Sequence, residues 1–189
     1  SWKLASIPHG QPDMFPEANL KNDLRAGFNR AHMSWYVIDY STFHRNTSTT
    51  PKNIAENPAE TENMNVAYVN KTDLFPNNNP ALGEITNITT LDLTYYPKER
   101  GMYNYDTTNT VNSDGDFINP ESRWAGIMRS LTTTDFERTN VEYIQFWLLD
   151  PFNNDQDPDG TNVGGNLYFN LGNLSEDILP DSRKSFENG

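Results

Sequence analysis

Residues 141–150 (VEYIQFWLLD) constrain this chain more than any other stretch, because the strand they predict is apolar on both faces. Val141, Tyr143, Gln145, Trp147 and Leu149 fall on one side, and Glu142, Ile144, Phe146 and Leu148 on the other. A strand of that kind has to be covered above and below, as in the middle of a sandwich. Residues 166–174 (NLYFNLGNL) set Leu167, Phe169 and Leu171 inward against Tyr168 and Asn170. A polar loop over 153–165 separates the two runs, and antiparallel pairing across it is the natural geometry.

Composition agrees with strands and turns. Aromatic residues make up 12% of the 189-residue chain and hydrophobic residues 35%, a balance that suits pleated surfaces better than helical seams. Asn, Thr, Asp, Pro and Gly recur along the whole length, as turn residues do. The expected fold is therefore mainly β: a jelly-roll or related β-sandwich with long loops and one or two short helices. Residues 1–30 read as an extended lead-in with a helix in it, and 31–189 as a single sandwich domain. Within the lead-in, Pro8, Pro12 and Pro16 favour extended chain, while Leu20, Leu24 and Phe28 recur at helical spacing.

Further strands are expected at 33–40 (MSWYVIDY), 88–96 and 123–131 (RWAGIMRSL). In the second of these, Leu91, Leu93 and Tyr95 share a dry face and Thr90, Asp92 and Thr94 a wet one, ending at Pro97. Residues 41–62 are rich in Asn, Thr, Pro and Glu without periodicity and read as a long polar loop. A short helical turn is expected at 132–140, capped by Thr134 with Glu137 three residues later.

Net charge of −12 argues against nucleic acid and anionic lipid as partners. No apolar run approaches the roughly 20 residues of a membrane helix, so direct lipid insertion is not expected. Both ends, Ser1 and Gly189, read as mid-protein sequence, which points to a segment of a larger exported protein. Catalytic signatures are absent from the sequence. There is no cysteine, no GxSxG and no HExxH, and the histidines are His9, His32 and His44. The expectation is a protein that is not an enzyme and needs no cofactor.

Two constellations invite a binding role. Asp155, Asp157 and Asp159, with Gly160, match the front half of a calcium loop, where alternate carboxylates converge around a glycine turn. Position twelve of that register is Asn166 rather than a bidentate Glu, and Pro158 stiffens the turn. The other reading of the same residues is a solvated acidic loop. Among the aromatics, Trp35, Trp124 and Trp147 could stack on sugar rings or fill a core. Tyr103 and Tyr105 lie in a loop, where exposed aromatics mark a partner or glycan contact.

Four ordered strings carry a family likeness: LDLTYYPKERGMYNYD (91–106), RWAGIMRSL (123–131), VEYIQFWLLDPF (141–152) and GNLYFNLGNLSEDILPDSRKSFENG (165–189). Together with MSWYVID (33–39) and DLFPN (73–77), they resemble the SprA/Sov family of very large outer-membrane proteins of Bacteroidetes. Met102 stands where that family commonly has proline, and Gln145 where it commonly has Glu. The resemblance implies a parent protein that forms the translocon of the type 9 secretion system and serves gliding motility. It places this chain as a soluble, outer-membrane-associated domain on the cell-surface or periplasmic side. Its implied partners are the rest of the parent barrel, secretion-system subunits or cargo proteins. At fold level the strands also look like galactose-binding-type jelly rolls, so a carbohydrate-binding module at the cell surface is the alternative.

Overall fold

The computed structural model describes residues 1–39, 50–61, 63–65, 67, 69–108, 110–133, 135–150, 152 and 164–183. Among them the chain is mainly β, built from short strands in two-stranded sheets and from helices of a single turn. It divides into two compact units. One comprises Ser1–Ser34, Thr94–Gln145 and Gly165–Gly189, and the other Trp35–Leu93 and Phe146–Gly164.

In the first unit, β1 (Lys3–Leu4) pairs antiparallel with β6 (Ile127–Met128), Lys3 opposite Met128 and Leu4 opposite Ile127. Ile7, Phe15, Ala18 and Ala26 form the core, with Leu20 and Trp124 packed against them. Ile178, only 1% exposed, closes the same interior from the C-terminal side. Residues 17–30 form no continuous helix. Two 3₁₀ turns, Pro16–Asn19 and Leu24–Gly27, take its place. The break is Asn22 at φ 51°, followed by Asp23, whose side chain accepts from the Arg25 amide at 3.0 Å and starts the second turn afresh.

β2 (Ala31–Tyr36) pairs with β5 (Asp92–Arg100). β5 starts later than the sequence pattern suggests and runs through Pro97, which a two-stranded ribbon tolerates because it has open edges. Its polarity is also reversed from expectation. Leu91, Leu93 and Tyr95 are exposed, while Asp92 and Thr94 are half-buried.

Chain crossings in the first unit are tight. The Gly101 amide donates to the Arg30 carbonyl, and a Cβ on Gly101 would collide with the Ala31 carbonyl. Gly27 meets the Tyr103 carbonyl in the same way. Only glycine permits such approaches. Asn104 locks the crossing: its Nδ2 donates to the carbonyls of Phe28 at 2.9 Å and Arg30 at 2.7 Å, and its Oδ1 accepts from the Asp106 amide.

In the second unit, β3 (Val69–Asn70) pairs antiparallel with β4 (Asn87–Ile88). Three one-turn helices accompany them: α1 (Lys52–Ala55), α2 (Pro58–Thr61) and α3 (Lys71–Leu74). The first two fall inside the stretch read as loop. A capping box opens α3, in which Asn70 and Asp73 satisfy each other's backbone amides.

The greatest departure from the sequence reading lies at 141–150 and 166–174. Neither forms regular structure: no residue of either belongs to a strand ladder, the chain bends at Gly172, and the large apolar side chains of both are exposed. Of 123–131, only Ile127–Met128 is strand, with Trp124 in an isolated parallel bridge to Arg30. Small paired sheets are present; two facing layers are not assembled among the described residues.

Candidate interaction surface

Exposed apolar side chains on chain without regular structure are the feature that most needs a function. In the second unit, Trp147 is 62% exposed and meets Phe75 edge-to-face at 6.1 Å, while Leu148 and Leu149 face water beside it. In the first unit, Val141, Tyr143 and Ile144 are exposed, Tyr143 at 76%. So are Leu167, Tyr168, Phe169, Leu171 and Leu174. Apolar exposure of this density marks surfaces that meet another molecule.

The segment 165–174 is held from one side. Gln11 Nε2 donates to Asn170 Oδ1 at 2.5 Å, and Ser6 Oγ donates to the Ser175 carbonyl at 2.7 Å. Beyond it the chain docks again, the Asn22 amide donating to the Pro180 carbonyl at 2.9 Å and Ile178 entering the core. The segment is thus tethered at several points while its large side chains stay in water.

The residues singled out from the sequence are treated differently by the fold. Asp155, Asp157 and Asp159 lie outside the described residues. Tyr103 and Tyr105 are separated in role. Tyr103 is half-buried at φ 61° with its carbonyl against Gly27, whereas Tyr105 is exposed. Trp124 belongs to the interior. Phe15 meets its ring edge-on at 5.2 Å, the Arg30 guanidinium lies 4.6 Å over it, and its Nε1 donates to Glu17 Oε1 at 2.9 Å. The guanidinium occupies a ring face that a sugar would need.

Two polar arrangements escaped the sequence reading. His32 Nδ1 lies 2.9 Å from Glu99 Oε2, and His32 Nε2 lies 3.4 Å from Ser34 Oγ. The order Ser–His–Glu is that of an acyl-transfer relay, and the spacing of His32 and Ser34 by two on one strand face was its only sequence signal. Both His32 and Glu99 are open to water, which screens the charge such a relay would have to handle. The second arrangement is Asp106, 1% exposed. Burial pushes its carboxyl up, but bonds from the Thr108 hydroxyl, the Thr110 hydroxyl and the Thr108 amide outweigh that and hold it below the ordinary value. Arg123 adds a smaller pull in the same direction. Nearby, burial raises the Tyr95 phenol, whose hydroxyl donates to the Arg123 carbonyl at 2.8 Å. These are the bonds of a turn that holds its own shape.

No protein-family model matches the chain, and no curated protein matches it either.

Proposed function

We propose that this chain is a non-catalytic structural and interaction module of a large outer-membrane protein-secretion translocon serving type 9 secretion and gliding motility. One observation carries the reading: the segments 141–149 and 167–174, outside any strand ladder, hold their large apolar side chains in water. Those same segments supply two of the strings that resemble SprA/Sov proteins. In the assembled protein they become paired strands of a jelly-roll β-sandwich, covered by the rest of the barrel protein, a secretion subunit or passing cargo. The module works at the outer membrane, on its cell-surface or periplasmic side.

Photo-crosslinking residues placed at Tyr143 and Tyr168 of the full-length protein in living cells test this. Adducts to the parent chain, to secretion-system subunits or to cargo are expected. Absence of adducts at both positions, with unchanged secretion and gliding when both are replaced by Ser, would overturn it.

Carbohydrate binding at the cell surface is the second reading, favoured by the exposure of Trp147. Glycan-array binding that disappears in Trp147→Ala would support it over the first.

A further inference from the structure

We infer that Phe75 and Trp147 form an aromatic corner that accepts an arginine side chain from a basic segment of a partner protein. The inference rests on the interaction-module reading and gives that module a site and a partner chemistry. Geometry is the first ground. The two rings stand at 89° with centroids 6.1 Å apart, so their planes form two walls at a right angle. Both are open to water, Phe75 at 50% and Trp147 at 62%. Phe75 is held from both sides, its amide donating to the Lys71 carbonyl at 2.7 Å and its carbonyl accepting from the Asn78 amide at 2.9 Å. One wall is thus in place before a partner arrives, which lowers the cost of binding.

Charge is the second ground. The second unit carries eleven Asp and Glu residues against three Lys and Arg, a net charge of −8 out of the chain's −12. Lys71, one of those three cations, is bound to Glu84 at 2.6 Å. Asp73 precedes Phe75 by two residues and Asp150 follows Trp147 by three, and both are exposed. An incoming cation is drawn in by this field, and at short range by the negative faces of the rings. The chain's own packing uses the same contact. In the first unit the guanidinium groups of Arg30, Arg123 and Arg129 lie over Trp124, Phe117 and Trp2, at 4.6, 4.2 and 5.3 Å. Arginine is planar and weakly hydrated, so it can lie flat on one wall with its edge toward the other. A neutral sugar gains nothing from the acidic surroundings, and a second copy of this chain brings a further −12.

The test uses the whole 189-residue chain and a labelled peptide, Gly-Arg-Thr-Arg-Gly-Arg-Thr, followed by fluorescence anisotropy. Saturable binding is expected, weakening as salt rises. The same peptide with citrulline for arginine keeps the shape without the charge, and it should bind at least about tenfold more weakly. Trp147→Leu keeps an apolar side chain but removes the ring, and should weaken binding about tenfold. Trp147→Phe restores a ring and should stay within about threefold of the parent chain. Circular dichroism checks the fold of both variants, and the citrulline peptide keeps the test valid whatever they do. No binding of the arginine peptide, equal binding of the citrulline one, or equal binding by folded Trp147→Leu would each overturn the inference. So would concentration-dependent dimers that exclude the peptide. Crosslinks at Tyr143 or Tyr168 in cells without peptide binding would remove the corner alone. Peptide binding without crosslinks would remove the translocon reading alone.

Discussion

Within the first unit, the crossing of residues 26–31 with 101–106 and the segment 165–174 are opposites. In the crossing the buried residues are Ala26, Gly27, Arg30, Ala31, Asn104 and Asp106, mostly small or polar, while Met102 and Tyr105 point to water. In the segment the exposed residues include Leu167, Tyr168, Phe169, Leu171 and Leu174. Hydrophobicity alone would have sorted them the other way. What sorts them here is backbone hydrogen bonding. The crossing satisfies its carbonyls through Asn104, Arg123 and the Gly101 amide, which permits burial of polar chain. The apolar segment has side chains fit for a core but no ladder, and a strand cannot be buried until its backbone is paired.

The largest effect should come from crowding the crossing. Gly101→Ala would drive a methyl into the Ala31 and Arg30 carbonyls, and a loss of about 3 kcal/mol or more in chemical denaturation is expected. Gly172→Ala is the matched control: its φ of 134° is unfavourable for alanine, but nothing stands near a Cβ, so about 1 kcal/mol should be lost. Comparable losses would erase the distinction between the two regions.

Next in size is Asn104→Ala, which removes one of the two donors to each of the Phe28 and Arg30 carbonyls and the side-chain acceptor of the Asp106 amide. About 2 kcal/mol is expected from thermal or urea unfolding, without a change in m-value. Acid sharpens the same point. Asp106 titrates below its ordinary 3.8 in the folded chain, so its bonds stabilise fully above that pH. Their contribution fades as pH falls from 3.8 through the lower folded value, and Asp106→Asn should flatten that part of the stability–pH curve. A curve unchanged by the substitution would show the carboxylate is not held by its threonines.

The smallest effect belongs to the exposed segment. Leu171→Thr should change stability by less than about 0.5 kcal/mol while raising solubility, read from denaturation and from light scattering. A loss above about 1.5 kcal/mol would mean that this side chain already lies in a core.

Local signals in the sequence were followed faithfully where the partner is also local. The strand expected at 33–40 is found at 31–36, and the turn expected within 132–140 is found at 136–140. The helix over 17–30 was not formed, although its cause was readable: Asn22-Asp23 offers a left-handed residue and a fresh cap in mid-pattern. The reversal of β5 had no local cause. Period two shows which residues share a face, while which face is covered depends on what packs there. The candidate surface follows the same rule, since 141–150 announces a buried strand but says nothing of what buries it.

Trp124 and Trp147 give the two kinds of region separate optical signatures. The indole of Trp124, enclosed by Phe15, Arg30 and Glu17, sits in a medium that shifts emission to shorter wavelength, and water around Trp147 shifts it to longer wavelength. Unfolding the first unit must therefore redden one band, and covering the second unit's ring must shorten the other. With Trp2 and Trp35 replaced by Phe, a single spectrum can distinguish a chain coming apart from one acquiring a neighbour.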